Sequence, residues 1–277
     1  MSLLKKMFPK VRFTTIINPK PLTIMKKLAM FALGLSLLLP TGLKAQDNEM
    51  FNHLSLGISL GTDGIGFEAA APIGRYVQAR TGISFMPAFS YSDHVKYGNR
   101  SGDVAGKKVN AKGTLHMTDW KLLFDIYPST KSTFHFTAGF YLGKQAVVTG
   151  KNTEVPTLLM DGGYILIGGQ PFGANAEGVA NIEVRVNNFK PYLGIGFGRA
   201  VPRKHRFAIT CDLGVQFWGK PKVYSWNQDM LNYGFHEVKY KDIDPDGSAA
   251  DARDAIKIIN RIGVYPVLNI RLNGRIF

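Results

Sequence analysis

The sequence predicts an all-β chain: a closed, antiparallel, up-and-down transmembrane β-barrel of 8 to 10 strands, with a short helix before the last strand. Three observations predict it. A complete export signal sits near the start, apolar and polar side chains alternate at period two, and short turns alternate with long polar connections. In a bilayer every backbone N–H and C=O must be paired within the protein, so strands that cross one have to close on themselves.

The signal begins at Met25. Lys26 and Lys27 give a basic start, Leu28 to Leu39 an apolar run, Pro40 and Gly42 a break, and Ala45 a small residue before Gln46. The run falls short of the ~20 apolar residues that a spanning helix needs, so it reads as cleaved rather than as an anchor. No cysteine follows it, which argues against a lipid-modified terminus. Residues 1–24 are basic and aperiodic and precede a second start-like methionine, so they are read as an over-extended N-terminus. The domain plan is therefore 1–24, signal peptide 25–45 and barrel 46–277, in the cell outer membrane.

Residues 1–45 carry eight lysines and arginines and no acid, so the formal charge falls from +14 to +6 once they are removed. That removes most of the basis for a nucleic-acid partner, and none is expected. Lys96, Arg100, Lys107, Lys108 and Lys112 read as a solvated loop. Cys211 is the single cysteine, which leaves no disulfide framework and no cysteine metal site.

Each strand is justified by its alternation. From Arg206 to Phe217, Phe207, Ile209, Cys211, Leu213, Val215 and Phe217 share one face, against Arg206, Thr210, Asp212, Gly214 and Gln216. Val77 to Phe89 and Thr133 to Gly143 divide in the same way, as does Trp120 to Ile126, where only Leu123 breaks the rule. A soluble sandwich could show such strands too. The opposite face decides for a membrane barrel, since Gly194, Gly196 and Gly198 with the charged residues suit a narrow polar lumen, whereas glycines weaken a solvent-facing strand without return. Arg80, Asp119, Lys121, Asp125, Arg185, Arg206 and Asp212 are assigned to that lumen, and their mixed signs predict internal pairing. Tyr76, Phe89, Tyr91, Tyr127 and Tyr192 suit interfacial girdles.

Short turns are read at Pro72 to Arg75, Pro128 to Ser132 and Asn187 to Lys190, and long connections at 93–113, 150–178 and 226–261. Nine strands result, at 54–60, 64–71, 75–90, 114–127, 133–148, 178–187, 190–200, 205–218 and 264–277. An even number is expected. Either Lys222 to Trp226 supplies a tenth, which is favoured, or 54–71 is one bulged strand and the total is eight.

Asp242, Asp244, Asp246 and Gly247 spell D-x-D-x-D-G, in which alternate carboxylates could converge on a hard cation. Arg253 stands where a calcium loop needs its bidentate glutamate. Metal binding is thus the weaker reading, and capping of a short helix, Ala249 to Asn260, by these acids and Ser248 the stronger. No cofactor is expected.

Tyr265, Pro266 and Val267 open the last strand after that helix, and Phe277 closes it. With Gly219-Lys220-Pro221 and the Gly61 to Gly66 stretch, these residues resemble a family of small, uncharacterised Gram-negative outer-membrane β-barrel proteins. The resemblance implies outer-membrane lipid as surroundings and the barrel-insertion machinery as a partner during biogenesis. Arg275 occupies the place of a second terminal aromatic in that family, and a bulge near Gly274 is expected if Phe277 is to share the face of Leu268, Ile270 and Leu272.

No nucleophile or metal-hydrolase motif surrounds any of the six histidines. His135, on the polar parity near Ser84 or Asp125, is the one geometric possibility. No catalytic residue is assigned. The function expected is a structural or ligand-presenting barrel with a largely filled lumen, its extracellular ligand unspecified. A narrow porin-like channel comes second and a lipid-modifying enzyme third.

Overall fold

A computed structural model describes residues 50–99, 101–160, 162–203, 205–227 and 234–277. The predicted over-extension and signal peptide lie outside them. Among the described residues, fourteen strands form one antiparallel sheet. Eight close into a ring: β1 (Ser55–Gly61), β2 (Gly64–Pro72), β3 (Val77–Gly98), β4 (Val104–Ile126), β5 (Phe134–Gly143), β10 (Phe189–Phe197), β11 (Phe207–Phe217) and β14 (Val264–Arg275). Each pairs with the next of the eight and β14 pairs back onto β1, which is an up-and-down barrel without a free edge.

The ring has eight strands, within the 8 to 10 predicted, although ten was the favoured count. The candidate at 178–187 becomes β9 (Asn181–Arg185) and that at 222–226 becomes β12 (Lys222–Asn227), and both lie beyond the ring. Residues 54–71 are a hairpin turned at Thr62 and Asp63, not one bulged strand. Consequently Asn187 to Lys190 is the return of a long excursion, and the third short-end connection runs from 198 to 206.

Most of the polar stretch expected to loop between 93 and 113 is strand, up to Gly98 and again from Val104. β3 and β4 continue past the ring, paired up to Gly98 with Val104, after one extra residue between Met86 and Phe89. Their far halves carry β6 (Ala146–Asn152), β9, β12 and β13 (Gly234–Val238) on the β4 side, and β7 (Tyr164–Ile167) and β8 (Gln170–Gly173) on the β3 side. This upper layer has its own apolar core, in which Val109, Leu159, Ile165, Phe172 and Val223 are buried. Helix α1 (Ala250–Ile259) closes it by burying Ala252 and Ile256, as its 3.6-residue spacing dictates.

Around the ring the outward side chains are apolar and exposed. Phe207, Ile209 and Leu213 are 68, 70 and 55% exposed, and Ile58, Ile83, Leu193 and Ile270 are also more than half exposed. A band of this extent on every strand is a surface made for lipid. Phe277 is exposed without the expected bulge near Gly274: the β1–β14 register is continuous to Arg275, and beyond it Ile276 donates to Leu54 and Phe277 accepts from it.

Candidate functional site

The polar parity of the ring strands converges on the barrel axis, where large charged side chains are buried instead of wetted. Arg80 from β3 is at the centre. It holds Asp125 of β4 through Nε and Nη2, both at 2.7 Å, while its Nη1 lies 3.2 Å from Glu68 of β2 and 3.4 Å from Asp212 of β11. Arg271 of β14 shares two of these partners, with Nη2 2.6 Å from Asp212 and Nη1 3.0 Å from Glu68. Lys121 of β4 meets Glu68 at 2.8 Å and Asp63 at 3.5 Å, and Lys190 of β10 meets Asp119 at 2.7 Å. Four cations thus face five carboxylates, and none of the nine is more than 5% exposed.

Such a belt can exist only with its partners in place, because an isolated charge in a low-dielectric interior costs several kcal/mol. The pairing is set by strand position: Glu68, Arg80, Asp125, Asp212 and Arg271 come from five strands that all present their inward parity at one height. The lumenal glycines make the room. A Cβ on Gly196 would meet the Asp212 carboxylate and the His135 ring, and one on Gly143 would meet the Asp119 carboxylate.

The belt is sealed on both sides. Within it, between Asp125 and Lys121 on β4 and below Lys190 on β10, Tyr141, Tyr192, Leu123 and Val267 pack into a layer whose two tyrosine rings are 5.5 Å apart. Above it Met117, Val147, Val186 and Trp218 are buried, with Trp218 stacked on Tyr265 at 4.6 Å. Towards the chain-terminus end, Tyr127 donates to Gln78 at 3.0 Å, and Val201 of the 198–206 turn donates to the same Gln78 oxygen at 3.1 Å.

Of the residues assigned to the lumen by sequence, Arg80, Asp119, Lys121, Asp125 and Asp212 are there. Arg185 is not: it lies on β9 in the upper layer, 2.6 Å from Glu183 and stacked over Tyr224 and Phe235. Arg206 is exposed on the turn. Tyr127 and Tyr192 line the interior instead of a girdle, whereas Tyr76, Phe89 and Tyr91 are exposed. The sequence reading missed Glu68 and Arg271, although both lie on the polar parity of alternating strands, and Lys190, which stands one residue inside β10.

His135 is fully buried, its Nε2 2.9 Å from Asp212 and 3.8 Å from Asp125. It is a member of the belt, enclosed with its two carboxylate neighbours. Asp242, Asp244 and Asp246 do not converge. All three are exposed, Asp244 accepts the Asp246 backbone N–H at 3.0 Å, and among the described residues no group of three His, Cys, Asp or Glu could hold a metal ion. Nor do they cap α1, whose N-cap is Ala249 with no side-chain bond to the helix.

Ring, exposed apolar belt and charged interior together define an integral β-barrel of the outer-membrane type. No family model matches the sequence, and no curated protein matches it. Among solved structures the chain is similar to CarO of Acinetobacter baumannii, at 18% identity over 83% of this chain and 99% of that one, TM-score 0.46. CarO2 of the same organism gives 17% over 82 and 100%, TM-score 0.48. A major outer membrane protein of Thermus thermophilus gives 13% over 80 and 98%, TM-score 0.34. Nothing about role transfers to this chain at such similarity.

Proposed function

We propose that this chain is exported through a cleaved signal, is assembled by the barrel-insertion machinery, and serves in the outer membrane as a closed scaffold that presents its upper layer outside the cell. It is neither a channel nor an enzyme. The observation that carries this reading is the ion-paired belt, since an eight-stranded ring has room for side chains alone and here every lumenal cation of the belt is paired in contact with a carboxylate. A conducting pore would leave such charges wetted and partly unpaired, as selectivity filters do. The placement of both ends of the barrel domain and the short turns at one rim, with the long connections at the other, supports the orientation: short-turn rim in the periplasm, upper layer outside. A lipid-modifying activity finds no support, because His135, which pairs with carboxylates, is enclosed.

Recording from planar bilayers tests the closed lumen. The purified barrel should insert without steady unit conductance, and reproducible steps in the wild-type protein would overturn the proposal.

A further inference from the structure

The short-turn rim is basic in sequence. The turns 73–76, 127–133 and 198–206 contain Arg75, Lys131, Arg199, Arg203, Lys204 and Arg206 and not one Asp or Glu. The belt above it differs, for there every cation has a carboxylate within 3.5 Å.

Between two of these turns lies a cavity of about 660 Å³, lined by Lys131, Arg199, Arg203 and His205 on one side and by Phe207 and Ile209 on the other. Arg199 is only 8% exposed. Its Nη2 donates to the carbonyls of Thr130 at 2.6 Å and Ser132 at 2.9 Å, and its guanidinium lies 4.3 Å from the Tyr127 ring centre, yet Nη1 is buried with no hydrogen-bond partner among the described residues. Arg203 donates to carbonyls, Thr130 at 2.6 Å and Arg75 at 3.1 Å. Burial and the neighbouring Arg203 charge both push the Arg199 guanidinium below its ordinary pKa, the direction expected of two cations held near each other. Phe207 and Ile209, the other wall, are among the most exposed apolar side chains of the lipid band.

We infer that this cavity is a binding site for the phosphodiester headgroup of an anionic phospholipid of the inner leaflet. Arg199 and Arg203 meet the phosphate, Lys131 and His205 flank it, and an acyl chain lies along Phe207 and Ile209. Guanidinium groups suit phosphate because their planar donors match its oxygens, and Arg199, which lines the cavity, keeps in Nη1 a donor that no described residue accepts. An apolar wall continuous with the lipid belt distinguishes a lipid from a free anion. The inference rests on the membrane reading above, which fixes the leaflet that this rim adjoins.

The test uses the full barrel refolded in detergent micelles, with bound lipid counted by native mass spectrometry. One phosphatidylglycerol should be retained in preference to phosphatidylcholine, and neither inorganic phosphate nor glycerol 3-phosphate should displace it at equal concentration. Lys131→Gln, at a site on the cavity wall, should weaken retention about fivefold, as removal of one cation near a lipid surface does. Arg203→Gln should weaken it at least as much. Lys107→Gln with Lys108→Gln at the far tip of β4 should change it less than twofold, and Arg199→Lys should restore part of what Arg199→Gln removes in barrels that still migrate as folded. Retention that ignores headgroup charge, falls equally in the Lys107 and Lys108 variant, or is matched by free phosphate would overturn the site. Failure of the wild-type barrel to enter phosphatidylcholine vesicles would instead refute the membrane reading, and the two failures are read in separate assays.

Discussion

β4 passes through two environments, and its halves are inverted copies of each other. Odd-numbered residues face inward from Val109 down to Asp125. In the upper half these include buried Val109 and Met117, and in the lower half they are Asp119, Lys121 and Asp125, equally buried, with Leu123 the one apolar exception. Even-numbered residues do the reverse: Lys108 and Lys112 face out above, and Trp120, Leu122, Phe124 and Ile126 face out below. Parity and backbone are constant, so what changes is the medium outside. Where it is water, burial of apolar surface drives the greasy face inward. Where it is hydrocarbon that drive vanishes, and the charged face goes inward to find partners. The lower stretch, Thr118 to Ile126, is nine residues long, matching the 9 to 11 or so that a tilted strand needs to cross.

The most severe way to break this contrast is to remove the hub of the lower interior. Arg80→Met leaves Glu68, Asp125 and Asp212 buried close to one another with one cation fewer. The expected loss is about 3–5 kcal/mol in urea unfolding of the vesicle-inserted barrel. A loss under about 1 kcal/mol would mean that water reaches the belt and relieves the orphaned acids, which would also reopen the channel reading.

The outward face offers the next test, on the same strand. Leu122→Arg, at the middle of the lower stretch, should cost about 2–4 kcal/mol. Lys108→Leu above should stay within about 0.5 kcal/mol, as solvent-facing changes commonly do. Equal costs at both positions would place the lipid boundary elsewhere.

How much of this was legible follows from the same inversion. Strands such as Phe207 to Phe217 were readable because one lipid-facing parity is apolar throughout, and Arg80, Lys121, Asp125 and Asp212 could be placed inside from parity alone. The β3 and β4 extensions were not readable, because Lys96, Lys107, Lys108 and Lys112 supply the polarity of a loop while the residues that hold the sheet, such as Val109 and Tyr97, are spaced among them. Arg185 and Lys222 to Trp226 show a related limit. Alternation reports that a strand has two unlike faces, and it is silent on whether the strand belongs to the ring or to the layer above. Ring membership is fixed by pairing between residues such as Val148 and Leu115, which leaves no local pattern. Partnership inside the lumen is similarly unreadable: five strands contribute to one belt, and only closure sets their relative heights.

The upper core should respond more mildly than the belt, and locally. Val109→Ala removes two buried methyl-sized groups, about 1.5 kcal/mol at ~0.8 each, from the cluster that joins β4 to Ile165 and Phe172. Hydrogen exchange should quicken in β6, β7 and β9 while the ring keeps its heat-modifiable gel migration. Loss of that migration would show that the two layers fold as one unit.

The smallest effect is expected at the edge of the upper layer, where Lys222 of β12 and Glu237 of β13 pair at 2.8 Å in the open. Here, unlike in the belt, water can replace either partner, and exposed pairs contribute little. The Glu237 hydrogen bond raises the Lys222 pKa above its ordinary value. A cation with a raised pKa stabilises fully below its unfolded pKa and loses that contribution as pH climbs through the folded one. Lys222→Met should therefore be indistinguishable from wild type in strongly alkaline buffer, and shifted by no more than the resolution of a melting curve at neutral pH. A neutral-pH loss as large as that of Arg80→Met would erase the distinction between a belt shut off from water and a surface bathed in it.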